Sequence, residues 1–479
     1  MDQKTVIHKF GGTSVGSAER FAGVAEIMKS FHTRHSADAY PHTVVVVSAM
    51  SGVTNQLISG AWAAAEGRER EYITTLQAVR DRHSTVVRAL LPGQGECDGV
   101  LKWIHQKLSD LERLYQSIAI LGEFTARGQD QVAAFGELLS VHILASVLRE
   151  YGIASQAMSA TQLFVTDDRF GNAAPLMDLT RSNLRDRVQP LLDSGFVPVI
   201  TGFIAATESG VTTTLGRGGS DYTAAIIAAG LGADEVWIWS DVDGILTADP
   251  NLVPGARPLR ELSYSEAAEL AYYGANVLHP KTIRPVIAHA IPLRILNSFN
   301  PDDPGTLIGQ DPCPERERFP AIISTTGLSM IAVGTTDDAW SLNDVARVLS
   351  CLNEGRIDVL MFSQSFSEHN LNLIVPVQDQ ILCTKALQNA FKHHLQEGSW
   401  KLEIKDKVAT VSVVGSPGCR ETGSVSKAFA ALGKLGVRVI AVAQAATENS
   451  VSFCIPEDTV KDTVRFLHSE LGLGCMSAE

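Results

Sequence analysis

The 479-residue chain carries 40 Lys and Arg against 53 Asp and Glu, a formal charge of −13, which lacks the basic footprint of nonspecific nucleic-acid binding. Its 45% hydrophobic and 19% charged residues are in globular proportion, with no apolar run near the ~20 residues of a membrane span. The length suggests roughly two to four domains. The opening MDQKTVIHKF has neither signal-peptide nor transit character, so a cytoplasmic protein with no membrane partner is expected. The seven cysteines (Cys97, Cys313, Cys351, Cys383, Cys419, Cys454, Cys475) are scattered, without metal-ligand spacing.

The first stretch, VIHKFGGTSVGSAERFAGVAEIM, reads as a short strand, a polar turn with Lys9, Gly11, Gly12, Thr13 and Ser14, and a helix burying Phe21, Val24, Ala25 and Met28. Val44 to Val47 form a central strand, and Ser48, Ser51, Gly52, Thr54 and Asn55 sit at its C-terminal end, where open α/β sheets bind ligands. Residues 60–150 are helical; Glu137, in FGELLS, lies where a carboxylate facing a ligand is plausible, although a solvated Glu is the default. The α/β pattern then resumes and reaches TTTLGRGGSDYTAAIIAA. Gly218 and Gly219 can expose consecutive N–H groups to a phosphate, Ser220 is suited to cap the following helix, and Arg217 and Asp221 flank the turn with opposite charges. One glycine pair is usually only a tight corner. Two such turns, each at a strand-to-helix junction, suggest a polyphosphate held from both sides.

Asp241, Asp243 and Gly244 close the next strand with a turn, and the Pro-rich NPDDPGTLIGQDPCPERERFP reads as a boundary. Beyond it, two units repeat the plan strand, loop, helix, strand, turn, strand, and SQSFSEHNLNLIVP echoes AQAATENSVSFCIP. Neither unit carries a nucleophile, a metal set or a glycine nest, which points to sensing or association.

The ordered motifs KFGGTSV, SAMSGVTN, FGELLS, TTTLGRGGSDYTAA, WSDVDGILTADP and GANVLHPKT closely resemble the aspartate kinases of the amino-acid-kinase superfamily, and the tandem C-terminal units resemble their ACT domains. The resemblance implies an α/β fold: a three-layer αβα kinase domain with a mostly parallel sheet over 1–308, a linker over 309–324, and two βαββαβ-type ACT domains over 325–402 and 403–479. It implies transfer of the γ-phosphoryl of Mg-ATP to the β-carboxylate of L-aspartate, the entry to lysine, threonine and methionine, with Mg2+ as cofactor and ATP as co-substrate. Lys9 would meet the transferring phosphoryl group and Asp221 would hold Lys9. Thr54, Glu137, Arg217 and Ser220 would bind aspartate, Arg217 clamping the α-carboxylate and Glu137 pairing with the α-ammonium. The nucleotide would lie along Gly11, Gly12, Thr13, Ser14, Gly218, Gly219, Ser240, Asp241, Leu246, Asn251, Asn276 and Val277.

Three of those positions depart from the family pattern: Leu246 replaces a usual Tyr, Asn251 a usual Arg and Asn276 a frequent Lys. Weaker ATP binding is therefore expected, and a KM for ATP no higher than in typical members would count against that. In the regulatory half, Leu360 stands where lysine-sensitive relatives usually have Asp, and MFSQSFSEHN resembles the turn of threonine-responsive members. The resemblance thus makes Gln364 and Gln444 candidate effector residues, threonine favoured over lysine, and implies a homodimer or higher homo-oligomer through the ACT units. No homoserine dehydrogenase-like or decarboxylase-like domain follows residue 479, so a monofunctional chain is expected. A kinase of another amino acid, or a weakly catalytic regulatory homologue that binds amino acids, are the alternatives.

Overall fold

The computed structural model describes residues 4–34, 42–273, 278–310, 320–336, 340–355, 357–365, 368–415, 424–444 and 450–474. They form two compact units: Met1–Ile245 with Arg260–Tyr264 and Asn276–Pro312, and Leu246–Leu259 with Ser265–Ala275 and Cys313–Glu479.

The first unit opens with β1 (Thr5–Phe10), α1 (Ala18–Arg34) and β2 (His42–Val47), followed by α2 (Val53–Ala65), α3 (Glu69–Leu90), α4 (Gln94–Leu121) and α5 (Ala126–Glu150). It continues through β3 (Ser155–Met158), β4 (Val165–Thr166), α6 (Met177–Arg187), α7 (Gln189–Asp193), β5 (Val197–Thr201), β6 (Ile204–Thr207), β7 (Thr212–Thr214), α8 (Gly219–Leu231) and β8 (Glu235–Ser240). After β9 (Glu261–Ser263) comes α9 (Tyr264–Tyr272), most of which belongs to the second unit, then α10 (Pro280–Ala288), β10 (Leu293–Asn297) and β11 (Thr306–Gly309).

Its main sheet has the order β3-β5-β2-β1-β8-β10-β11-β9 and is mostly parallel, with β11 antiparallel to β10. The valine run of β2 is explained by burial on both faces. Val45 and Val47 pack with Phe10 and Phe21 in the core formed with α1 to α5, while α8 covers the opposite face of β1, β2 and β8. α5 is long and apolar enough to cross a membrane by length and composition, but 83% of its apolar window is buried inside the protein, so it is a core helix here. β4, β6 and β7 form a separate three-stranded sheet that leads into α8.

In the second unit the strands are β12 (Ala321–Thr335), β13 (Met361–Ser365), β14 (Asn370–Pro376), β15 (Trp400–Val414), β16 (Ala441–Gln444) and β17 (Ser450–Pro456). The helices are α11 (Leu342–Glu354), α12 (Val377–Ala390), α13 (Lys392–Gln396), α14 (Ser424–Lys434) and α15 (Val460–Glu470). All six strands join in one antiparallel sheet, β13-β14-β12-β15-β17-β16. Two cores line it. One gathers Ile331, Val348, Leu373, Leu387 and Trp400, the other Ile322, Val411, Leu432, Phe453 and Leu467. β12 and β15 run through both halves: Ala321–Thr325 pair with Thr410–Val414, and Met330–Thr335 with Trp400–Lys405. The halves therefore share their long strands, and residues 321–324 are strand. The segment Leu246–Leu259 also belongs to this unit, with Ala248 and Val253 in its core.

Candidate active site

Lys9 is the penultimate residue of β1, the strand between β2 and β8, so its side chain emerges at the carboxyl edge of the parallel sheet. It is 8% exposed, and its Nζ lies 2.5 Å from Asp221 Oδ1. Asp221 stands in the first turn of α8, where the helix dipole also favours a carboxylate. A partly buried ammonium fixed by a partly buried carboxylate is a cation held in place without being used up, since two further N–H bonds remain for a ligand.

The turn before α8 explains both of its glycines. Gly218 is left-handed, with φ of +69°, and a Cβ there would lie 2.4 Å from the Cβ of His279. The helix begins at Gly219, with Gly218 as its N-cap and no side-chain capping bond, so Ser220 lies inside the first turn and does not cap it. The hydroxyl instead packs on Gly202, where a Cβ would be 2.5 Å from Ser220 Oγ. Gly219 N–H is spent on Gly216 O (2.9 Å), and Gly11 N–H on Trp239 O (3.3 Å), whereas the N–H groups of Gly12 and Gly218 have no partner among the described residues. Each turn therefore keeps at least one free glycine N–H among the described residues.

Gly12 lets two loops meet. A Cβ at this position would lie 2.9 Å from Ala49 O, and Gly12 O accepts from Ser51 N–H at 3.1 Å. The loop after β2, brought in this way, gives Ala49 N–H to Glu137 Oε1 at 3.2 Å. Glu137 is buried on α5, its Oε2 has no hydrogen-bond partner among the described residues, and burial pushes its pKa up to about 8. It is a carboxyl with no ion pair among the described residues.

Lys9, Thr54, Glu137, Arg217, Gly218, Gly219, Ser220 and Asp221 line one open cavity of 440 Å³. Arg217 is exposed and makes no ion pair among the described residues. The cavity thus has a fixed cation and an unpaired cation above the sheet edge, and on its helical wall a carboxyl group with one free oxygen.

Asp130 and Phe203 are among the lining residues that the sequence reading missed. Asp130 is 1% exposed and accepts from Gly171 N–H, Thr214 N–H and Thr214 Oγ1, the last at 2.7 Å, which ties α5 to β7 just ahead of Arg217. Phe203 holds a left-handed backbone at φ of +66°, uncommon for a bulky side chain. It is kept there by Thr223 Oγ1, which accepts Phe203 N–H and donates to Gly219 O. No local pattern signals either residue.

Other expected positions fall outside the cavity wall. Thr13 and Ser14 lie in the turn after β1, and Ser240 and Asp241 follow at the end of β8. Ser298 joins these two ends, its hydroxyl meeting Ser14 Oγ at 2.9 Å and donating to Ser240 O at 3.0 Å. Leu246 and Asn251 belong to the second unit, where Leu246 bridges to Pro258 and Asn251 N–H donates to Asp249 Oδ1 at 2.8 Å. Asn276 and Val277 lie outside the described residues. In the second unit Gln364 is the penultimate residue of one edge strand, β13, and Gln444 the last of the other, β16. Gln364 Nε2 is buried without a partner among the described residues, and Met361 and Ala441 of those strands share one small apolar cluster.

Residues 4–297 match the model of the amino acid kinase family, and residues 411–471 match an ACT domain. The chain belongs to the amino acid kinase family. Within that family it groups with the aspartokinases: it is 31% identical to aspartokinase 1, chloroplastic, of Arabidopsis thaliana, covering 98% of this chain and 80% of the relative. It is 34% identical to the chloroplastic bifunctional aspartokinase/homoserine dehydrogenase 2 of the same plant, covering 98% of this chain but 50% of that protein. The chain thus spans about half the length of the bifunctional relatives that it matches. Among solved structures, E. coli aspartokinase III in complex with aspartate and ADP (R-state) is 28% identical, with a TM-score of 0.84 over 98% of this chain and 100% of that one. The same enzyme with lysine and aspartate (T-state) gives 29% identity and a TM-score of 0.76.

Proposed function

We propose that this protein is an aspartate kinase, which moves the γ-phosphoryl group of ATP to the β-carboxylate of L-aspartate, giving 4-phospho-L-aspartate and ADP. One observation carries the reading: a single cavity offers an unpaired guanidinium, a carboxyl with one free oxygen and a buried ammonium. That set complements an amino acid whose side chain is itself an anion. Arg217 receives the α-carboxylate, for which its planar fork is suited, Glu137 receives the α-ammonium, and Thr54 hydrogen-bonds a polar group of the substrate. The β-carboxylate then faces Lys9.

The nucleophile is already a carboxylate oxygen, so no general base is needed. The barrier comes from bringing an anion to a polyanion and from charge on the transferring group. Lys9 neutralises that charge, and the free N–H groups of Gly12 and Gly218 add directed donors at no reorganisation cost. Asp221 keeps the ammonium aimed. Mg2+ accompanies the nucleotide; it ordinarily takes phosphate oxygens, water and one or two carboxylates. No group of three His, Cys, Asp or Glu among the described residues is arranged to hold a metal, so the phosphates are proposed as its main ligands.

The remaining parts of the reading rest on resemblance to the family. Leu246, Asn251 and Asn276 give an atypical nucleotide contact and a raised KM for ATP. Gln364 and Gln444 bind a small amino-acid effector, threonine in preference to lysine, and the buried unpartnered Gln364 amide supports a polar ligand there. The ACT units pair in a homo-oligomer, the product feeds lysine, threonine and methionine synthesis, and the compartment is the cytoplasm.

The test is ADP release with Mg-ATP and L-aspartate, run beside Lys9→Ala, a panel of other acceptors, and added threonine or lysine. Aspartate-dependent turnover that falls by at least two orders of magnitude in Lys9→Ala is expected. Turnover on glutamate, or ligand binding without turnover, would replace the reading with another kinase or a regulatory homologue.

A further inference from the structure

Arg82 lies on α3, a helix that contributes nothing to the cavity wall, yet it reaches both loops that build the site. Its Nη1 donates to Ser51 O at 2.8 Å and its Nη2 to Gly16 O at 2.9 Å. Gly16 closes the turn that follows Lys9, and Ser51 belongs to the loop whose Ala49 N–H holds Glu137. The same two loops meet directly through Ser51 N–H and Gly12 O, with room for no Cβ at Gly12. One planar guanidinium therefore fixes the separation of the nucleotide-facing turn and the aspartate-facing loop, as only a rigid fork of donors can.

The placement is poor for stability taken by itself. Gly16 and Ser51 stand just before the first residues of α1 and α2, and a cation beside helix N-termini opposes their dipoles. Arg82 makes no ion pair among the described residues to offset this. A cation there is favourable once an anionic ligand sits over those helix ends.

We propose that Arg82 is a positioning residue for phosphoryl transfer, acting through the Gly11–Gly16 turn and the Ser48–Gly52 loop. The inference rests on the kinase reading, and the experiment separates the two. In Arg82→Ala, kcat/KM is expected to fall on the order of 100-fold, the scale of a misplaced reacting geometry, with nucleotide affinity weakened and the melting temperature little changed. Arg82→Lys, which keeps the charge but can span the two carbonyls only poorly, is expected to fall between, and millimolar guanidinium is expected to restore part of the Arg82→Ala rate. ADP affinity, titrated on folded protein, reads the nucleotide turn even when wild type shows no turnover on aspartate. Wild-type kinetic constants and ADP affinity in Arg82→Ala would overturn the proposal. So would losses that follow only the fraction of unfolded protein and are equal in the Lys and Ala variants.

Discussion

Glu137 offers the sharpest test of how the cavity recognises an amino acid. Burial raises its pKa from the ordinary 4.5 to about 8, so in the empty site the carboxyl is largely protonated at neutral pH. An α-ammonium ligand needs the ionised form. The ionised fraction grows from roughly 3% at pH 6.5 to about 50% at pH 8, so KM for aspartate should fall about 15-fold across that window at saturating ATP. Glu137→Gln removes the titrating group, and its KM should be high and flat over the same range. The linked effect on stability has a defined sign. Because the folded pKa is raised, stability is fully present below pH 4.5 and is lost as pH climbs towards 8, with a slope of about 1.4 kcal/mol for each pH unit between those limits. Ligand-free Glu137→Gln should therefore melt higher than wild type at pH 8 while being the poorer enzyme. Initial-rate kinetics and thermal melts at matched pH read both effects. A wild-type KM that stays flat from pH 6.5 to 8, or a Glu137→Gln variant with the wild-type slope, would refute the assignment.

The glycine turn and the regulatory edge strand give two further tests. Gly218→Ala puts an L side chain in a left-handed conformation, a cost of ~1–2 kcal/mol, and sets its Cβ 2.4 Å from the Cβ of His279; a lower melting temperature and loss of turnover are expected. Unchanged melting would show that the turn relaxes freely. Gln364→Ala should raise the threonine concentration needed for half-inhibition at least tenfold with basal kcat unchanged, as measured by inhibition curves, and unaltered inhibition would remove Gln364 from the effector site.

The sequence by itself determined the family and the fold class. Lys9, the GG turns, Arg217 and Asp221 were legible as candidates because their signals are local: a strand end, a tight turn and a helix start each leave a mark within a dozen residues. The valine run likewise announced a strand buried on both faces. What the tertiary structure decided were the contacts between distant segments. Asp130 grips Thr214, 84 residues away, and Arg82 spans Ser51 and Gly16, 31 and 66 residues away. Ser298 joins Ser14 and Ser240. Nothing in the residues around any of these foretells its partner. Even the cap of α8 moved, from Ser220 to Gly218, whose carbonyl accepts Tyr222 N–H, and His279 on a remote segment leaves no space for a side chain there. In the second unit the repeat was visible, but its strand pairing was not. Two similar halves can each close a sheet alone or share long strands, and β12 and β15 share theirs because each runs 15 residues, long enough to pair in both halves. Residue type fixes what a side chain can do, whereas its partner is fixed by which segments the folded chain brings within hydrogen-bond distance.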